Sequence, residues 1–138
     1  MWKPDIKLVN NKLGIKNMPF SVLLASNDSD LDVLMRRILK KRDFKYDYQP
    51  AADVAILSAM EDPVDMLFYD TTDTENHFDT ISVINSLNPK LPIVVITDDN
   101  SIETMKNLAR LKIFFRVIKP VQMHEIESIL DAVDSVVK

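Results

Sequence analysis

Four short apolar runs in this chain each end on side chains that can do polar chemistry. Phe20 to Ala25 (FSVLLA) runs into Ser26, Asn27 and Asp28. Val64 to Tyr69 (VDMLFY) runs into Asp70, Leu91 to Ile96 into Thr97, and Phe114 to Ile118 into Lys119 and Pro120. A carboxylate, a hydroxyl and an ammonium brought to one place can receive an anionic group, share a cation or neutralise one another. Each residue also has a plainer reading. Asp70 and Lys119 can form an ion pair that ties two strands, since removing one member of a buried pair costs about 3–5 kcal/mol. Thr97 can cap the helix that follows it. Asp28 can cap a helix with its carboxylate at the positive end of the dipole.

Other chemistries are excluded or lack support. There is no Cys, so no disulfide framework, thiolate zinc site or cysteine nucleophile exists. The one glycine, Gly14, precedes the first apolar run, which leaves no glycine-rich loop to cradle a phosphate or dinucleotide. His77 and His124 are far apart and read as surface residues, and Asp73 as a solvated loop acid. Met35, Met105 and Met123 read as core filler. No nucleophile–base pair is visible, so an enzyme is not expected.

Charge is unevenly spread. Residues 1–19 hold four Lys against one Asp, and the remaining 13 Lys and Arg face 20 Asp and Glu. The acidic balance of residues 20–138 makes nucleic acid an unfavoured partner. The basic lead reads as a solvated, partly ordered tail. No run approaches the roughly 20 apolar residues that span a bilayer, and the lead has no apolar signal-peptide core. A soluble cytoplasmic protein is expected, with no membrane partner.

Strands must stop where the polar groups stand. Phe20 to Ala25 lacks polar alternation and reads as a strand buried on both faces. Caps at Asn27 to Ser29 lead into Leu31, Leu34, Met35, Ile38 and Leu39 at helical spacing. Phe44 to Gln49 is a more polar strand at a sheet edge. Pro50 to Met60 reads as a short helix with Val54 and Leu57 inward, stopped by Pro63. Val64 to Tyr69 is the third strand, followed by a polar loop to Asp79 and a helix marked by Ile81, Ile84 and Leu87. Leu91 to Thr97 is a buried strand rich in β-branched residues. A fourth helix, capped within Asp98 to Ser101, carries Ile102, Met105, Leu108 and Ala109. After the fifth strand, Phe114 to Ile118, Pro120 opens a last helix with Met123, Ile126, Ile129, Leu130 and Val133 inward. Arg110, Lys112 and Arg116 are expected to face Glu125, Glu127 and Asp131 of that helix. Five strands alternating with five helices predict an α/β, flavodoxin-like (βα)5 three-layer sandwich with a parallel five-stranded sheet in order 2-1-3-4-5. Its site should lie beyond the carboxyl ends of the strands, at the switch point between strands 1 and 3.

With DMLFYD ending in Asp70, PIVVIT ending in Thr97, and VIKP holding Lys119 and Pro120, residues 20–137 resemble the receiver domain of two-component response regulators in order and spacing. The resemblance implies that Asp70 is the phospho-acceptor, serving a histidine kinase, and that the most the chain would do as an enzyme is phosphorylate itself on Asp70 from a phosphodonor. It implies that Thr97 and Lys119 contact the phosphoryl group and that acids after the first strand bind Mg²⁺. It also implies an aromatic switch residue three positions before the lysine. The chain departs from the pattern in three places. Ser26 and Asn27 stand where two acids are expected, with Asp28 one place later, so the acidic pocket is degenerate. The loop after Asp70 (TTDTENHFD) lacks the usual Pro and Gly. Arg116 occupies the switch position.

Asp70 and Lys119 already sum to zero charge, and Mg²⁺ is poorly held by one carboxylate. Mg²⁺ binding is therefore expected to be weak, with Asp28, Asp70 and Thr72 as weak candidate ligands, and Lys119 is expected to pair directly with Asp70. Arg116 is expected to stay outward. The functional expectation is a stand-alone, atypical receiver of a two-component or phosphorelay system, acting through protein–protein contacts with weak or absent phosphorylation. The alternative is a conventional phospho-accepting receiver. Expected partners are a histidine kinase or phosphotransfer protein, an output partner, and a second copy bound through the face of the fourth helix, fifth strand and fifth helix.

Overall fold

The computed structural model describes residues 20–50, 64–72 and 77–137. Five strands, β1 (Ser21–Ala25), β2 (Lys45–Gln49), β3 (Met66–Asp70), β4 (Ile93–Thr97) and β5 (Phe115–Ile118), form one parallel sheet in the order β2-β1-β3-β4-β5. The described helices are α1 (Ser29–Lys40), α2 (His77–Leu87), α3 (Ile102–Ala109) and α4 (Met123–Val137). This is the expected flavodoxin-like architecture and strand order. The helix expected over 50–60, the basic lead 1–19 and Asp73 lie outside the described residues.

Strand side chains alternate between the two faces of the sheet, and the core divides accordingly. Val22, Leu24, Met66, Phe68, Val94, Ile96 and Val117 pack with Met35 and Leu39 of α1 and with Ile126 and Leu130 of α4. Leu23, Ala25, Leu67, Tyr69, Ile93 and Val95 pack with Ile81 and Ile84 of α2 and Leu108 of α3. The inner strands are apolar on both faces because helices cover both. At the edge, β2 (KYDYQ) keeps only Tyr46 and Tyr48 against the core, as its polarity predicts.

Several expectations need correction. The polar loop expected to reach Asp79 ends earlier, because α2 begins at His77; Phe78 and Ile81 dock on the second core and carry the helix back toward the loop. Leu87 lies within α2, as its spacing predicts, but is exposed, and Asn85 of the same helix faces the α3–β5 loop. The Asn85 amide donates to the Lys112 carbonyl and accepts the Lys112 N–H, each at 2.9 Å. Ile102 is exposed as well, being the first residue of α3, just past the loop that leaves β4. The basic strip does not pair as expected with the last helix. Asp131 instead takes Arg42 from the α1–β2 turn at 2.8 Å, and Arg42 also donates to the Glu127 carbonyl. Glu125 is used locally, accepting the Gln122 N–H at the start of α4. In the turn before β2, Asp43 adopts a left-handed conformation, φ 59°.

Candidate functional site

Register brings the polar strand ends together. Ala25 pairs with Tyr69, so the next residues, Ser26 and Asp70, sit side by side. Both follow the alternation of Leu24 and Phe68 and lie on the face covered by α1 and α4. Thr97 pairs with Ile118, which places Lys119 just past β5 on the face of Val117. The Lys119 N–H donates to the Thr97 carbonyl at 2.8 Å, and the Lys119–Pro120 peptide is cis.

Asp70 is the buried centre, with its side chain 1% exposed. The Ser26 hydroxyl donates to Asp70 Oδ2 at 2.6 Å, and Lys119 Nζ lies 3.0 Å from the same oxygen. Asp70 Oδ1 accepts the Thr72 N–H at 2.9 Å. The ammonium also reaches Asp28 Oδ2 at 3.2 Å, so one lysine bridges two carboxylates. Asp28 Oδ1 meanwhile accepts the N–H groups of Asp30 and Leu31 and caps α1, while Ser26 Oγ accepts the Asp28 N–H at 3.0 Å. Of the two roles the sequence offers Asp28, a helix cap or a metal ligand, the cap is realised through Oδ1, while Oδ2 takes the Lys119 ammonium, a contact the sequence reading did not foresee. Three strand ends and the start of α1 thereby share one hydrogen-bonded network.

The electrostatics follow from this arrangement. Burial pulls the Lys119 ammonium toward a lower pKa, but the Asp70 and Asp28 carboxylates outweigh it, and the net shift is upward. Partial burial raises the Asp28 pKa, but the helix N–H donors and Lys119 outweigh that and hold it below the usual carboxylate value. Tyr48, on the edge strand, is raised by burial and by the negative charges of Asp32, Asp28 and Asp70.

The remaining sequence candidates stand apart from this network. Asn27 is exposed. Thr97 is buried, but it follows the alternation of Val95 on the α2/α3 face. Its hydroxyl accepts the Asp99 N–H at 3.0 Å and lies 3.4 Å from the Asp99 carbonyl. Thr97 does not cap the next helix either; Ser101 does, accepting the Thr104 N–H. Asp99 stiffens that loop by accepting from Ser101 N–H and Thr104 Oγ1, which hold its pKa low. Arg116 pairs with Val95 across the sheet and is exposed. Its neighbours Phe114 and Phe115 are also exposed, their rings edge to face at 5.3 Å. Sequence reasoning missed the hydroxyl bond from Ser26 to Asp70. The available signal was the equal place of Ser26 and Asp70 at the ends of two runs that become neighbours in a 2-1-3 order.

The arrangement offers one buried carboxylate as a nucleophile, with a fixed ammonium beside it that can neutralise an incoming anionic group. The donor set does not fit Mg²⁺, which takes an octahedral shell of oxygens. Each carboxylate oxygen of Asp28 and Asp70 already accepts a donor, and an ammonium stands between the two side chains. Among the described residues, no group of three or more His, Cys, Asp or Glu is placed to hold a metal ion.

No protein-family model matches the sequence, and no curated protein matches it significantly. Solved structures do. The chain is similar to a response regulator from Thermotoga maritima, with TM-score 0.74, 15% identity, and coverage of 87% of this chain and 98% of that one. It is similar to the chemotaxis protein CheY4 of Vibrio cholerae, with TM-score 0.74, 14% identity, and coverage of 84% and 99%. It is also similar to a CheY-like response regulator receiver domain from Methanospirillum hungatei, with TM-score 0.76, 12% identity, and coverage of 87% and 94%. At these identities the likeness is one of fold, and the fold is that of response-regulator receivers.

Proposed function

We propose that this chain is a receiver-type signalling module that works through protein–protein contacts, with phosphorylation at Asp70 weak or absent. The observation that carries the reading is the Asp70–Lys119 pair at 3.0 Å beyond the carboxyl end of β3, bridged to Asp28 and bonded by Ser26. It occupies the switch point between β1 and β3, where sheets of this order place their sites. Weak phosphorylation is supported by the state of the nucleophile. An Asp70 oxygen that attacks phosphorus must give up hydrogen bonds to do so, as the bond from phosphorus to the leaving group breaks and an acyl phosphate forms. Contacts as the output are supported by the exposed Phe114, Phe115 and Arg116 around β5 and by exposed Ile102 on α3. Partners of this class are a histidine kinase or phosphotransfer protein, an output protein, and a second copy through the α3–β5–α4 face. A cytoplasmic location belongs to the same proposal; no helix among the described residues is long and apolar enough to cross a membrane.

The test is incubation of the chain and of Asp70→Asn with phosphoramidate in the presence of Mg²⁺, read by intact mass. The reading expects little or no phosphoryl adduct on either. Rapid stoichiometric labelling of the unmodified chain, absent from Asp70→Asn, would instead establish a conventional phospho-accepting receiver.

A further inference from the structure

We infer that the Lys119 ammonium, with the N-terminus of α1, is the resident cation of this site and closes it to divalent metal ions. The inference rests on the receiver-type reading and deepens it. Lys119 Nζ contacts Oδ2 of both Asp28 and Asp70, at 3.2 and 3.0 Å. The two Oδ1 atoms are taken by backbone N–H groups, from Asp30 and Leu31 on one side and Thr72 on the other. Asp70 Oδ2 also holds the Ser26 hydroxyl. A metal ion entering between the carboxylates would have to expel the ammonium and strip these donors.

Charge gives little incentive for that exchange. Two carboxylates against one ammonium and a helix N-terminus worth roughly half a positive charge leave a balance of about −0.5. Mg²⁺ gives up its water reluctantly, and so weak a residual charge does not draw it in. Ser26 contributes by what it is. A hydroxyl donates to Asp70 and accepts from the Asp28 N–H, joining the two acids without adding a third charge. Removing the ammonium should therefore create a metal site: two carboxylates would face one volume with no cation between them.

The experiment is thermal unfolding of the full chain in chelator and in millimolar Mg²⁺ or Mn²⁺, with no phosphodonor present. It compares wild type, Lys119→Arg, Lys119→Met and the double variant Lys119→Met/Asp28→Asn. Wild type and Lys119→Arg should keep the same midpoint in all solutions. Lys119→Met should melt lower in chelator and recover with the logarithm of cation concentration, as expected for a ligand that binds only the folded state. The double variant should lose that recovery. A wild-type midpoint that rises with Mg²⁺, or a folded Lys119→Met that ignores both cations, overturns the inference. If Lys119→Met does not fold, wild type decides alone through Mn²⁺ broadening of its amide resonances. Broadening that saturates at residues 26–28 and 70–72 overturns the inference, and its absence supports it. Failure here is distinct from failure of the functional reading. A metal can bind without Asp70 being labelled, and labelling can occur with no metal effect on the midpoint.

Discussion

Substituting Asp70 by Ala and by Asn separates the roles of its charge and its acceptor oxygens. The side chain is 1% exposed and, among the described residues, accepts from the Ser26 hydroxyl, the Thr72 N–H and the Lys119 ammonium. Alanine removes all the acceptors. An orphaned buried charge costs about 3–5 kcal/mol, but that is an upper bound here, because Lys119 is 19% exposed and keeps Asp28 at 3.2 Å. Each neutral donor left unsatisfied adds about 1–3 kcal/mol, less where water or relaxation reaches it. The sum for Asp70→Ala is about 3 kcal/mol. Asparagine keeps one acceptor oxygen but turns an amide donor toward other donors, and about 1–2 kcal/mol is expected. The assay is urea unfolding at equal slope. With a slope of about 1–3 kcal/mol/M, the alanine midpoint should fall by about 1–3 M and the asparagine midpoint by about half as much. Equal midpoints for both variants and wild type would refute the reasoning, since Asp70 would then hold nothing in place.

Three further outcomes follow from the geometry. Asp43 sits at φ 59°, so Asp43→Val should destabilise by about 1–2 kcal/mol, while Asp43→Gly should not, as read by thermal unfolding. Lys119 has a raised pKa in the folded chain, so its contribution is fully present below the unfolded value, about 10.4, and is lost as pH rises through the folded value. An alkaline unfolding series should show this loss in wild type and not in Lys119→Met. Arg116 is exposed, so Arg116→Ala should change stability by no more than about 0.5 kcal/mol. A buried guanidinium would cost several kcal/mol, so Arg116 should also stay outward in a structure carrying a phosphoryl mimic.

The strand ends were legible in the sequence because an apolar run buried on both faces has to stop where a charge appears. That placed Asp70, Thr97 and Lys119 at the correct edge of the sheet, and the alternation of runs and amphipathic stripes led to the order 2-1-3-4-5. The capping role of Asp28 was legible because it is local. What escaped depends on tertiary crossings. The Ser26–Asp70 bond needs the register of β1 on β3, and a serine read alone looks like a missing acid. The Arg42–Asp131 pair joins residues far apart in the sequence, so the cations nearer in sequence, Arg110, Lys112 and Arg116, were assigned to that helix instead. Leu87 and Ile102 fit the helical spacing but stand in terminal turns and are exposed. Thr97 and Ser101 are both sound caps by type, and only the backbone path after β4 decides between them.

The central proposal is that Asp28, Asp70, Ser26 and Lys119 form a nearly self-neutralised site, and that the absence of acids at positions 26 and 27 keeps phosphorylation at Asp70 weak. The most direct measurement compares phosphoryl uptake by wild type and by Ser26→Asp/Asn27→Asp, with Mg²⁺ and phosphoramidate, by intact mass and peptide mapping. The double variant supplies carboxylates beside Asp70 and removes the hydroxyl that holds its Oδ2. The account predicts uptake on Asp70 in the double variant and little or none in wild type. Equal and rapid labelling of both chains on Asp70 would contradict it.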